Sequence, residues 1–186
     1  MKVKSVLLTV VLFLLLYSFS SAQDALKKGV YSLSGSISFS TSSNDMLGET
    51  TNSDYFWFNP SGGYFIMDNL LIGGTINYMY DVTKFESGGR TNTNYFRRVG
   101  IGPTIKYFFN GGTVFPFAAV SDSYFKSIDG GQEGNSLTVN AGLDYFLSRS
   151  VALEPSVSYS YSTYNMPDQK INQFSVVIGI SYYIIP

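Results

Sequence analysis

Residues Tyr31 to Ser40 read YSLSGSISFS, with serine at every second position. Side chains on a β-strand point to opposite faces with a period of two. This stretch therefore has one hydroxylated face, Ser32, Ser34, Ser36, Ser38 and Ser40, and one largely apolar face, Tyr31, Leu33, Gly35, Ile37 and Phe39. A soluble sheet turns such an apolar face inward to a core; a membrane barrel turns it outward to lipid. The rest of the chain chooses between them.

The alternation recurs in eight segments. The first is Val30 to Thr41. The second, about Tyr55 to Met67, sets Phe56, Phe58, Pro60, Tyr64 and Ile66 against Trp57, Asn59, Ser61 and Gly63, and Met67-Asp68-Asn69 makes a tight turn. The third, Leu70 to Lys84, sets Leu70, Ile72, Ile76, Tyr78, Tyr80 and Val82 against Gly73, Thr75, Asn77 and Asp81. The fourth, about Asn94 to Phe108, opposes Val99, Ile101, Ile105 and Tyr107 to Arg98, Gly100, Gly102, Thr104 and Lys106. In the fifth, Thr113 to Phe125, the FPFAAV centre leaves open which parity faces out. The sixth, Ser136 to Leu147, and the seventh, Val151 to Tyr164, alternate cleanly, and the seventh repeats the serine ladder at Ser156, Ser158, Ser160 and Ser162. The eighth, Asn172 to Ile185, sets Phe174, Val176, Ile178, Ile180 and Tyr182 against Ser175, Gly179 and Ser181. Connections after the second, fourth and sixth segments are short turns. The others read as longer polar loops, such as TSSNDMLGETTNSD from Thr41 to Asp54.

The first residues read as an export signal. Lys2 and Lys4 give a basic start, Ser5 to Phe19 is almost continuously apolar, and Ser20-Ser21-Ala22 offers small residues for cleavage. The apolar run is shorter than the roughly 20 residues of a spanning helix, so cleavage after Ala22 is expected, with a barrel domain over residues 23–186. The chain has no Cys and no His. Disulfides, thiolate chemistry and imidazole bases are excluded, and a net charge of −1 without a basic block gives nucleic acid no footprint. No cofactor is implied. The polar faces are Ser, Thr, Asn and Gly with few Lys or Glu, which suits a narrow interior and not the water-facing surface of a lipocalin-like barrel or sandwich. Aromatics gather near segment ends, at Tyr55 to Phe58, Tyr78 and Tyr80, Tyr95 and Phe96, Tyr107 to Phe109, Tyr124 and Phe125, Tyr159 to Tyr164, and Tyr182 and Tyr183, as in the girdles of membrane barrels. The expected fold is all-β: an eight-stranded antiparallel up-and-down transmembrane barrel, serines inward, in the outer membrane of a Gram-negative cell, with both termini in the periplasm.

The stretches GGYFIMDNLLIGGTINYMY (Gly62 to Tyr80), AGLDYFLSRSVALEPSVSYSY (Ala141 to Tyr161) and the ending FSVVIGISYYI resemble the small eight-stranded outer-membrane barrels of OmpA, OmpX and OmpW type. The resemblance covers almost all of Gly29 to Ile185 and implies a fold more than a task. It also implies partners: outer-membrane lipid with lipopolysaccharide, and the barrel-assembly machinery, which reads a terminal aromatic residue. This chain runs past Tyr183 to Ile184-Ile185-Pro186, so Tyr183 is the residue left for that reading. A monomer is expected.

Three roles fit such a chain: a structural or surface-interaction barrel with a plugged interior, a porin-like conduit for small solutes, and a lipid-modifying enzyme. The first is preferred, because an eight-stranded barrel is only wide enough to fill with side chains or hold one small ligand. An enzyme without His would need a carboxylate base, so no catalytic residue is assigned. Two site expectations follow. Symmetry of the sixth and seventh segments about Arg149 sets Asp144 opposite Glu154 on the inward face, and Lys106 lies at similar depth; the three form a lumen charge cluster, with Arg98 as a further inward charge higher up. Folding the third and fourth segments about Arg90 and Thr91 sets Lys84 opposite Arg97 on the outward face, where one phosphate of lipopolysaccharide would bridge them. Gly100 and Gly102 in VGIGPT sit in a strand and open no helix, so they are no nucleotide loop. Asp122, Asp129 and Glu133 lack EF-hand spacing and read as solvated loop charge and not a metal site.

Overall fold

The computed structural model describes residues 22–46, 49–87, 90–112, 114–165 and 169–186; residues 1–21 of the expected signal segment lie outside the described residues. A short 3-10 helix, Ala22–Leu26, precedes eight strands: β1 Tyr31–Met46, β2 Glu49–Met67, β3 Leu70–Ser87, β4 Arg90–Phe108, β5 Val114–Ser127, β6 Glu133–Phe146, β7 Val151–Tyr164 and β8 Gln169–Ile184. Each pairs antiparallel with its chain neighbours, and β8 returns to β1 to close the barrel. Where the two strands pair, closure covers the sheet edges; β1 beyond Ser36 and β8 before Gly179 are not paired across that seam.

The pleat decides what faces where. Ser32, Ser34, Ser36 and Ser38 line the interior, while Leu33, Ile37 and Phe39 stand exposed outside. The same outward band runs through Ile76, Ile101, Val139, Val157 and Val176, the last 70 % exposed. An apolar exterior around a hydroxylated interior is the inverse of a soluble barrel, and it is stable only where the exterior meets lipid.

The register also settles the fifth strand. Phe115, Phe117, Phe125, Ser123 and Ser127 are buried inward, and Val120 and Tyr124 are exposed outward. Asp122, within the fifth segment, shares that outward parity, so it is a charge on a strand face and not a loop charge.

Two other expectations are corrected. The polar stretch Thr41 to Asp54 is no long loop: β1 and β2 continue as a hairpin to the pair Met46–Glu49. Likewise β3 and β4 pair as far as Ser87–Arg90. Ser, Thr and Asn alternate there without an apolar face, which reads as loop, yet antiparallel backbone pairing needs no apolar face, and threonine favours strands. The aromatic clusters are also not all girdle. Alternation splits them: Tyr78, Tyr95, Tyr107 and Tyr182 face out, whereas Phe108, Phe125 and Tyr183 are buried inside.

At the end where both termini lie, turns are tight. Asp68 and Asn69 join β2 to β3, and Asn69 takes φ 65°, a left-handed conformation that asparagine tolerates. The N-terminal segment folds beneath the barrel here. Asn69 N–H donates to the Leu26 carbonyl (2.8 Å), Gly29 N–H to that of Phe65 (3.0 Å), and Lys28 N–H to Asp68 Oδ1 (2.9 Å). Ala25, Leu26 and Val30 are thereby pressed against Phe65, Phe108, Phe115, Phe117, Phe146 and Tyr183. The lumen has a solid apolar floor.

Candidate functional site in the lumen

Immediately above that floor sit the expected charges. The β6–β7 ladder pairs Gly142 with Ser156 and Tyr145 with Leu153, a register that sets Asp144 opposite Glu154. Lys106 reaches across from β4. Its Nζ lies 2.6 Å from Glu154 Oε2 and 3.5 Å from Asp144 Oδ1, and it also stands 3.8 Å from the centre of the Phe117 ring and 4.8 Å from that of Phe108. Aromatic faces carry negative potential, so the ammonium is held by two carboxylates and two rings at once. Asp144 is completely buried.

Two neighbours were not assigned to this cluster from the sequence. The Tyr183 hydroxyl donates to Asp144 Oδ2, and the Ser181 hydroxyl donates to Glu154 Oε2 at 2.6 Å, with Ser34 Oγ 3.1 Å from it. Both lie on the inward parity of β8, so their spacing from Gly179 and Ser175 was the available signal. Tyr183 thus closes the cluster from below, its ring 5.3 Å from that of Phe146 and 6.2 Å from Phe65.

Arg98 stands apart from this group, nearer the other end. Its Nη1 donates to the Tyr164 hydroxyl (2.7 Å), and its guanidinium lies 4.5 Å over the Phe125 ring. Between Arg98 and the Lys106–Glu154 pair is a chamber of about 270 Å³. Its walls are mostly Ser, Thr, Asn and Gly.

The rim expectation is corrected. The β3–β4 ladder runs to the pair Ser87–Arg90, so Lys84 opposes Thr93 and Arg97 opposes Tyr80. Lys84 and Arg97 are not a pair. Arg97 is instead held by Asp129 of the β5–β6 connection, Nη2 to Oδ1 at 2.7 Å and Nε to Oδ2 at 3.1 Å, while its backbone N–H donates to Oδ2 (2.8 Å). Ile128 N–H returns to the Arg97 carbonyl (2.8 Å). Glu133 takes the Tyr124 hydroxyl at 2.6 Å. Asp122, Asp129 and Glu133 therefore have separate surroundings, and no metal-holding group of acidic residues occurs among the described residues.

The hydrogen bond from Arg97, with its charge, holds the Asp129 carboxyl below its ordinary pKa. A folded pKa below the unfolded one means the tie is at full strength above the ordinary carboxylate range and fades as pH falls through the depressed value. Asp129→Asn is expected to speed hydrogen exchange at Ile128 at neutral pH, whereas the native protein shows that acceleration only in strong acid. Equal exchange in both would leave the bidentate contact without a role in holding the connection.

The comparisons agree with this architecture. No curated protein matches the sequence. Among solved structures, OprG of Pseudomonas aeruginosa is 13 % identical, with 88 % of this chain and 99 % of that one covered at a TM-score of 0.59. Neisserial surface protein A is 21 % identical over 83 % and 97 %, TM-score 0.54. Ail of Yersinia pestis is 17 % identical over 84 % and 100 %, TM-score 0.51. These identities carry the fold and nothing finer. The family profile described as outer membrane protein beta-barrel domain matches residues 9–183, and the chain belongs to that family.

Proposed function

We propose that this is a structural or surface-interaction barrel of the outer membrane whose lumen does not conduct. The observation that carries the reading is the double seal at the terminal end. The Lys106–Asp144–Glu154 cluster spans the lumen, and beneath it the rings of Phe65, Phe108, Phe146 and Tyr183 close over Leu26. An ion crossing that end would have to displace a buried ion pair and part an apolar core, both costly in a low-dielectric interior. Both termini at this end support a periplasmic placement, reached after export and signal cleavage. The hairpins β1–β2 and β3–β4 then face the cell exterior. Lipid, including lipopolysaccharide, surrounds the apolar band, and the barrel-assembly machinery inserts it. No reaction is assigned.

The serine-lined chamber favours a second reading, a conduit for small solutes. Planar-bilayer recording of the detergent-extracted, refolded protein separates the two. The closed reading expects no stable conductance steps from the native protein, and discrete steps would establish the conduit instead.

A further inference from the structure

The chamber between Arg98 and the ion cluster has a chemistry of its own. Among its described lining residues, Arg98, Lys106 and Glu154 are the charged ones, and they stand at its two ends. The wall between offers hydroxyls and carboxamides: Asn59 on β2, Asn77 on β3, Asn140 on β6, and the serines of β1 and β7. Asn140 Oδ1 is buried without a hydrogen-bond partner, a condition that native structures seldom leave uncompensated. On the wall four strands away from β6, Trp57 points into the lumen. Its ring is stacked on Tyr55 at 5.5 Å and 16°, which fixes a broad aromatic face beside Asn59.

We infer that this chamber is a binding site for one neutral, polyhydroxylated ring, that is, a sugar residue. A pyranose presents polarised C–H groups on one face and hydroxyls around its edge. The first suit the negative face of an indole; the second suit amides and hydroxyls that both donate and accept. The uncharged wall between those ends gives an ionised group seated there no counter-ion for its lost hydration. The volume lies a little below that of a drug-sized pocket, a size suited to one ring. The small serines and glycines matter here, because larger inward side chains would fill an eight-stranded lumen completely. The inference goes beyond the closed-barrel reading and needs only the chamber, so conductance and binding are answered by different measurements.

Trp57 is the chain's single tryptophan, and its fluorescence reports the site directly. The purified barrel in detergent is titrated with glucose, galactose, N-acetylglucosamine and myo-inositol, and with galacturonate as the charged counterpart. A saturable emission change in the millimolar range with at least one neutral compound, and a response at least tenfold weaker to galacturonate, is the expected result. Asn140→Leu should weaken binding about tenfold, the factor that loss of one hydrogen bond of ordinary strength carries. Asn77→Ala serves as the second variant, and the heat-induced gel shift of each checks that it has folded. A second arm compares lipid A with lipopolysaccharide bearing core sugars. A response to the latter alone, with none to free sugars, assigns the ring to a lipid-linked source; a response to free sugars assigns it to solute. No saturable change with any neutral sugar in either arm, with calorimetry equally silent, overturns the site.

Discussion

Lys106→Met lowers the melting temperature of the barrel by on the order of 10 °C. The ammonium is the group that stands between Asp144 and Glu154, which the register sets face to face. Removing it leaves two carboxylates confronting each other in a largely dry site, and deleting one partner of a buried ion pair costs about 3–5 kcal/mol. At roughly 2–4 °C per kcal/mol for a chain of this size, the shift is easily read by circular dichroism or by the heat-induced change in gel mobility. Two ring contacts, to Phe108 and Phe117, are exchanged for thioether contacts and offset little of the loss. Adding Asp144→Asn and Glu154→Gln to Lys106→Met should recover most of it, since the penalty comes from uncompensated charge. An unchanged melting temperature in the single variant would mean that the three groups are separately hydrated.

The second large effect distinguishes neighbouring residues on one strand. Val120 is exposed on the outward face of β5, flanked by Ile105 of β4 and Val139 of β6. Ser121, next in sequence, lines the chamber. Arginine on the lipid face near the bilayer midplane costs about 2–4 kcal/mol, so Val120→Arg should depress the unfolding free energy in lipid vesicles by that amount. Ser121→Arg places the same charge among hydroxyls and water and should cost much less. Equal penalties at the two positions would contradict the assignment of faces.

The faces were legible because one parity in β1 and β7 is almost entirely serine, and a period of two leaves only one way to turn it. Asp144 and Glu154 were legible for a related reason: the turn at Ser148-Arg149-Ser150 is short, so its centre fixes every pair in the ladder. The same logic failed for Lys84 and Arg97. The turn was centred on Arg90 and Thr91, whereas the ladder closes at Ser87–Arg90, nearer the N-terminus. Misplacing a hairpin centre shifts every partner along the ladder, and the supposed cation pair dissolves into Lys84–Thr93 and Tyr80–Arg97. The fifth strand was illegible because Phe115, Phe117 and Val120 are all apolar, although the first two belong to the floor and the third to the lipid face. A barrel with an apolar base inside and lipid outside loses its alternation there. Tyr183 was hidden in the same way, since beside Tyr182 either ring passes for a girdle residue.

The ladder that joins β1 to β8 runs over only six pairs, from Tyr31–Ile184 to Ser36–Gly179, and it is the shortest of the eight. It also joins the two ends of the domain, so the loop it closes is nearly the whole chain. Contacts between residues so distant in sequence form late, because the entropy of bringing the ends together precedes any reward from pairing. The hairpins β1–β2 and β3–β4, whose partners are local, are free to form beforehand. The seam is thus the last part of the barrel to zip and the first to part. Its few pairs, together with the Ser181–Ser34 hydrogen bond that crosses them, set how long an inserted barrel stays shut.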